Sequence, residues 1–222
     1  MVLLFSAIRP IAVVALLYCP FARAGTQPEL NRIADAAAWR VSNRTAMPSE
    51  HDGHPAVHLG AKGGDGFAWL VGSGLSEGTI DVDLRGANRS GESFVGIAFH
   101  GVDDTTFEAV YFRPFNFKNP EIPRREHSAQ YVSHPQFTWE KLRRDNPGKY
   151  EAAVTPVPDP DGWFHARIVV EGGKISVFVN DSSTASLVVT QLSDRNKGLV
   201  GLWVGNGSDG DFANLRITPH QR

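Results

Sequence analysis

Apolar and polar residues alternate along most of the chain beyond residue 78, with the period of two that is typical of β-strands. Residues 79–85 place three aliphatic side chains on one strand face, and two aspartates and an arginine on the other. Similar patterns predict strands at residues 67–71, 93–100, 107–117, 163–171, 174–180, 186–190, 199–204 and 211–217. Ahead of them, residues 28–39 have the spacing of a short helix. We therefore expect an all-β fold, an antiparallel β-sandwich of the jelly-roll type with one short N-terminal helix.

The first 24 residues have the features of a secretory signal peptide. A basic residue, Arg9, precedes an apolar run at residues 11–18, and the segment ends on the small-x-small triplet at residues 22–24. The apolar run is too short to predict a membrane span. We expect export to the periplasm or the medium of a bacterium, which leaves residues 25–222 as a single domain.

Composition and charge limit the classes of binding partner that we expect. The chain is 41% hydrophobic and 21% charged, with a net charge of −2, so it has a globular composition and no basic excess for nucleic acid. Cys19 is the sole cysteine and lies in the signal, so we expect no disulfide partner. A lipid anchor at Cys19 is disfavoured because a bulky tyrosine precedes it.

Cofactor motifs are absent from the sequence. It has no HExxH or Cys-His zinc spacing, and its histidines are scattered. The glycine-rich residues 60–66 lack the lysine-serine ending of a phosphate loop and predict a plain loop before a strand. We expect no cofactor and assign no metal ligands, although the turn Asp209-Gly210-Asp211 leaves a structural calcium ion open.

The strands resemble the concanavalin A-like lectin/glucanase superfamily. The segments that carry the resemblance are GTIDVDL at 78–84, SFVGIAF at 93–99, FEAVY at 107–111, GWFHARI at 162–168, ISVFVN at 175–180, GLVGLWV at 198–204 and DFANLRI at 211–217. Within it, the chain is most similar to laminin-G-like jelly rolls and to the 3-keto-disaccharide hydrolase domain, a glycoside hydrolase 16-like group. The resemblance implies a concave groove that holds carbohydrate. The chain has His100 where that group tends to have arginine, and Val110 and Arg113 where it tends to have glutamine and aspartate.

A long connection, residues 113–160, separates two predicted strands, and we call it the excursion. It is much longer than a hairpin needs, and residues 138–144 within it have a helical pattern. Between residues 113 and 149 it carries eight basic and four acidic residues, and its aromatic residues alternate with planar polar ones. Such pairs suit sugar recognition, because rings stack on sugar faces and planar groups bind adjacent hydroxyls. The predicted substrate-binding residues are Tyr111, Arg113, Asn116, His127, Gln130, Tyr131, Trp139, Arg143 and Tyr150.

Two sets of residues are candidates for catalysis. Glu108 matches a family motif position and would serve as an acid or base, or would simply pair with an arginine. His100 is the other candidate of this set, and strict alternation places it on the strand face of Gly96. Asp81 and Asp83 share a strand face about 7 Å apart, within the roughly 5 to 10 Å that separates glycosidase carboxylates. The alternative is a solvated or salt-bridged surface beside Arg85.

Three functions remain open from the sequence. The first is an enzyme that cleaves or eliminates a glycosidic bond, or hydrolyses an oxidised sugar. The second is a lectin-like module that binds sugar without catalysis. The third is a structural envelope protein whose groove binds a peptide. In the first two, carbohydrate is the partner.

Overall fold

Two seven-stranded antiparallel sheets form a sandwich in the computed structural model, which describes residues 25–220. The predicted signal peptide and Cys19 lie outside the described residues. The strands are β1 (Trp39–Ser42), β2 (Ala46–His51), β3 (His54–Leu59), β4 (Gly66–Leu70), β5 (Gly78–Arg85), β6 (Val95–Gly101), β7 (Glu108–Phe112), β8 (Ala129–Ser133), β9 (Glu151–Ala152), β10 (Phe164–Glu171), β11 (Lys174–Val179), β12 (Leu187–Thr190), β13 (Leu199–Val204) and β14 (Gly210–Pro219).

Each sheet combines runs of consecutive strands with strands that are distant in sequence. Sheet I has the order β1-β4-β13-β6-β7-β8-β9, and sheet II the order β12-β11-β10-β5-β14-β3-β2. The predicted jelly-roll β-sandwich is confirmed. Among residues 25–220, no helix combines the length and the apolar character that a bilayer crossing requires.

The core lies between the two sheets. Ile80, Val82 and Leu84 alternate along β5 and are fully buried, as the sequence pattern predicts. Across the interface, the rings of Phe112 in sheet I and Phe164 in sheet II meet edge to face, 5.1 Å apart. This contact identifies the inner face of sheet I, because side chains two residues from Phe112 along β7 point the same way.

The predicted N-terminal helix is much shorter than residues 28–39. Only a 3-10 turn, Leu30–Arg32, forms, and the chain enters β1 at Trp39. The side chain of Asp35 accepts a hydrogen bond from the backbone N–H of Ala37, which offers the backbone an alternative to the helix. An isolated helix of this length is marginal in any case.

The predicted strand at residues 107–117 ends at Phe112. Pro114 lacks a backbone N–H and cannot extend the ladder, and it begins a short helix, α1 (Pro114–Phe117). Two further helices lie in the excursion, α2 (Ile122–Arg125) and α3 (Trp139–Asp145), and α3 confirms the predicted helical segment. The excursion also contributes β8 and β9, which extend sheet I.

Candidate functional site

The outer face of sheet I has a glycine at the centre of an aromatic floor. Gly96 on β6 is paired with Trp203 on one side and with Tyr111 on the other. A Cβ atom at Gly96 would lie 2.6 Å from the Tyr111 Cα, so the position has no room for a side chain. The rings of Tyr111 and Trp203 approach across it to 4.8 Å.

The excursion and several loops surround this floor and enclose a cavity of about 630 Å³. That volume falls in the range of small-molecule sites. Its walls come from strand residues on the outer face, from the excursion and from the loops at residues 65, 91 and 205–206. The lining residues are Asp65, Gly91, Phe94, Tyr111, Arg113, Phe115, Asn116, Arg124, His127, Val132, His134, Thr138, Trp139, Glu140, Arg143, Trp203, Gly205 and Asn206.

Most of the predicted substrate-binding residues meet in this cavity. Six of them line it, namely Tyr111, Arg113, Asn116, His127, Trp139 and Arg143. The other three, Gln130, Tyr131 and Tyr150, are buried and do not line it. Residues far apart in sequence converge because β7, β8 and α3 follow one another around the floor. Contact of these side chains with a ligand stays a prediction.

Arg113 lies at the end of β7, where the excursion begins. It donates hydrogen bonds to the carbonyl oxygen of His127 at 2.9 Å, to the Tyr111 hydroxyl at 2.6 Å and to the Gln130 side-chain oxygen at 3.2 Å. Gln130 therefore acts from behind the cavity wall by holding the arginine. Burial raises the pKa of Tyr111 to about 12, although the charge of Arg113 opposes this rise. The Tyr111 hydroxyl thus stays protonated at neutral pH.

An ion pair between the half-buried Arg143 and the buried Glu151 fixes α3 against sheet I. Arg143 Nη2 lies 2.6 Å from Glu151 Oε2, and Arg143 Nε donates to the same carboxylate at 3.1 and 3.3 Å. The Glu151 side chain is 2% exposed, and His127 Nδ1 lies 2.8 Å from its Oε2. The Arg143 guanidinium also covers the Trp139 ring, 5.0 Å from its centroid. Much of the hydrogen-bonding capacity of Arg143 is therefore directed at Glu151.

Two lining residues that the sequence did not single out have shifted pKa values in opposite directions. Burial raises the pKa of Asp65 above its usual range, against the opposing effects of His134 and Arg44. Burial lowers the pKa of His134, whose ring stacks on Phe107 with centroids 4.8 Å apart. Asp65 was visible in the sequence as a lone acid in the glycine-rich loop before β4, but nothing there indicated that the loop closes a cavity.

The predicted catalytic residues Glu108 and His100 lie outside this cavity. Glu108 is paired with Phe99 on the inner face of sheet I and accepts a hydrogen bond from the Tyr131 hydroxyl at 2.6 Å. His100 Nδ1 lies 3.3 Å from Glu108. The predicted face of His100 is wrong, because its φ of 47° interrupts the alternation. Glu108 also accepts hydrogen bonds from Gln191 at 3.0 Å and from Ser193.

Asp81 and Asp83 lie on the outer face of sheet II. His165 bridges them, with its Nδ1 2.7 Å from Asp83 and its Nε2 3.2 Å from Asp81. These hydrogen bonds raise the pKa of His165 to about 9. Partial burial favours the neutral form of both aspartates, but the bonds from His165, Arg167 and Asn214 outweigh it and lower both pKa values. The arrangement is the salt-bridged surface that the sequence left open as an alternative.

The turn considered for calcium carries acids that are engaged with basic side chains. Asp211 contacts His58 at 3.0 Å, and His51 and Arg85 at 3.3 Å each, while Asp209 pairs with Arg89. No group of three or more metal-ligating His, Cys, Asp or Glu side chains occurs within residues 25–220. A calcium ion at this turn stays a prediction.

Residues 34–218 match the model of the 3-keto-alpha-glucoside-1,2-lyase-like domain family. The chain belongs to this family. The match covers both sheets and the whole excursion. None of the curated proteins is significantly similar to the chain in sequence.

Several solved structures share the fold at low identity. The carbohydrate binding module CBM66 from Bacillus subtilis is 14% identical, with a TM-score of 0.57 over 82% of this chain and 95% of that one. A putative glycosyl hydrolase from Parabacteroides distasonis is 13% identical, with a TM-score of 0.53 over 89% and 94%. Domain 4 of the arabinanase AbnA from Geobacillus stearothermophilus, in complex with arabinotriose, is 11% identical, with a TM-score of 0.52 over 89% and 94%.

The three positions where the chain departs from the hydrolase pattern lie in two different parts of the structure. Arg113 is in the cavity, whereas Val110 and His100 lie with the inner face of sheet I.

Proposed function

We propose that the cavity on sheet I binds a sugar and that the protein cleaves a glycosidic bond there. The observation that carries this proposal is the floor formed by Tyr111 and Trp203, ringed by planar polar side chains. Aromatic rings stack on the C–H faces of a pyranose, and amide, imidazole and guanidinium groups bind its hydroxyls. Membership of the 3-keto-alpha-glucoside-1,2-lyase-like family supports the same ligand class.

Asp65 and His134 are the proposed acid and base. A raised pKa lets Asp65 keep a proton to higher pH than an ordinary aspartic acid, which suits a proton donor. A lowered pKa keeps His134 neutral at pH 7, which suits a proton acceptor. Titratable groups whose pKa values are pushed in opposite directions within one cavity are the usual sign of such a division of roles.

The family description indicates elimination across C1 and C2 of a 3-keto glucoside. In this proposal His134 accepts the proton from C2, which the neighbouring ketone makes acidic. The electron pair of the broken C2–H bond forms a C1=C2 double bond, and the bond from C1 to the leaving oxygen breaks. Asp65 then gives its proton to that oxygen, so protons and electrons balance. The sugar product of elimination contains this C1=C2 double bond, whereas the product of hydrolysis does not.

The second candidate is a sugar-binding domain without catalysis. It is favoured by the position of Glu108 and His100, the catalytic pair predicted from the sequence, on the inner side of sheet I. In that case Asp65 and His134 would only bind hydroxyl groups.

The experiment that tests the proposal is incubation of the mature protein with a panel of α-glucosides and their 3-keto forms. Products are followed by mass spectrometry, and binding by thermal shift. We expect product from a 3-keto α-glucoside, and a loss of at least about 100-fold in rate for Asp65→Asn. Asp52→Asn, a matched change at an exposed turn on sheet II, is the control. A thermal shift without product would favour the binding domain, and no shift with any sugar would contradict both functions.

We also propose that the protein is exported with cleavage after Ala24, on the evidence of the signal-like segment at residues 1–24. Mass spectrometry of the protein purified from its native host tests this. A chain that keeps Met1 in the cytoplasmic fraction would contradict it.

A further inference from the structure

Arg113 is a buried cation whose contacts are all neutral. The residue is 5% exposed, and its three hydrogen bonds go to a carbonyl, a hydroxyl and an amide oxygen. Its guanidinium also lies 4.8 Å from the Tyr111 ring centroid and 5.8 Å from that of Phe94. Within residues 25–220, no carboxylate oxygen comes within 4.0 Å of it. A buried charge without a counter-ion is costly unless something else compensates it.

The other arginines of the cavity differ from Arg113 in this respect. Arg143 is paired with the buried Glu151, and Arg124 is paired with Glu121 in solvent. The two acids that line the cavity do not balance Arg113 either. Burial disfavours the charged form of Asp65, and Glu140 is exposed on α3. One positive charge in the cavity is thus unmatched.

The guanidinium has donors left for a ligand. An arginine side chain carries five N–H groups, and the hydrogen bonds of Arg113 described above use three of them. The two that remain are the Nε–H and one Nη1–H, on different edges of the guanidinium, and either can donate a charge-assisted hydrogen bond to a carboxylate oxygen. A single unmatched charge fits a monoanion better than a phosphate dianion.

We propose that the sugar bound in the cavity carries a carboxylate, as a uronic acid does, and that Arg113 is its counter-ion. This inference rests on the proposed function, because it assumes that the cavity binds a sugar. It adds a substrate class to that function, since a glucoside itself is neutral.

The test compares three probes that differ only at C6, titrated into the mature protein by calorimetry. They are methyl α-D-glucuronide, its uncharged uronamide and methyl α-D-glucoside. We expect the glucuronide to bind at least about 10-fold more tightly than either neutral probe, and the preference to weaken as salt increases. In Arg113→Gln the glucuronide and the neutral probes should bind about equally well. Arg113→Lys should keep part of the preference for the glucuronide.

The control variant is Arg216→Gln, which removes an exposed arginine from sheet II, away from the cavity, and should keep the full preference. Because each preference is a ratio within one protein, a change in stability does not imitate the result. Equal binding of the glucuronide and the uronamide by the wild type would overturn the inference and leave the proposed function standing. Failure of all three probes to bind, together with the whole α-glucoside panel, would overturn both.

Discussion

The ion pair between Arg143 and Glu151 gives the sharpest prediction for stability. Arg143→Ala removes three N–O contacts of 3.3 Å or less from a carboxylate whose side chain is 2% exposed. Breaking a fully buried pair costs about 3 to 5 kcal/mol, because the remaining charge loses its partner. The Arg143 side chain is 34% exposed, so the lower end applies. We expect a loss of about 3 kcal/mol in the free energy of unfolding.

The assay is urea unfolding, with scanning calorimetry beside it. For a domain of this size, 3 kcal/mol corresponds to a fall of roughly 6 to 12 °C in melting temperature. Arg144→Ala is the matched control, because the neighbouring Arg144 is 68% exposed and pairs with the exposed Asp145. We expect that control to stay within about 0.5 kcal/mol of the wild type.

A double-mutant cycle separates the ion pair from simple loss of packing. In Arg143→Ala combined with Glu151→Gln no buried carboxylate remains, so the double variant should lose about 2 kcal/mol less than the sum of the two single variants. Additive losses, or equal losses for Arg143→Ala and Arg144→Ala, would refute the reasoning.

The remaining predictions concern polar groups outside the cavity. Tyr131→Phe removes a 2.6 Å hydrogen bond to the buried Glu108. We expect it to lower the free energy of unfolding, measured in urea, by about 1 to 3 kcal/mol and to leave sugar affinity unchanged. A loss of affinity at constant stability would place Glu108 in the site instead. Protonated His165 stabilises the fold through Asp81 and Asp83, and this contribution is complete below pH 6.5 and disappears as pH rises through about 9. Because the His165 side chain is 24% exposed, screening leaves about 1 to 2 kcal/mol of that dependence. We expect His165→Gln to flatten the fall in unfolding free energy between pH 6.5 and 9, and an unchanged slope would contradict this assignment.

The alternation of side chains explains why most strands were predictable. A strand with one buried face repeats every two residues, and β5 shows this pattern without interruption. The same reasoning missed β2, whose residues include Pro48 and none of which is fully buried. An edge strand tolerates proline and buries little, so its sequence carries a weak signal. Strand β8 was missed for a different reason: all five of its residues are buried, so they do not alternate in exposure.

The candidate site was predictable in its location but not in its details. The length and charge of the excursion pointed to Arg113, His127 and Trp139, which do line the cavity. Whether a side chain faces the cavity or the core depends on register, and Tyr131 falls on the inner face of the same strand whose outer face supplies the cavity wall. Asp65 comes from a loop that is distant in sequence from the excursion. The pattern of side chains along the chain does not show that these two segments meet in the fold.

Amide hydrogen exchange of the mature protein, with and without saturating methyl 3-keto-α-D-glucoside, tests most directly whether the cavity on sheet I is the sugar site. We predict that protection on ligand addition is confined to peptides that cover the cavity walls around residues 65, 91–94, 111–116, 124–143 and 203–206. Protection at the outer face of sheet II, around residues 79–85 and 165–167, with none at the cavity would contradict the account.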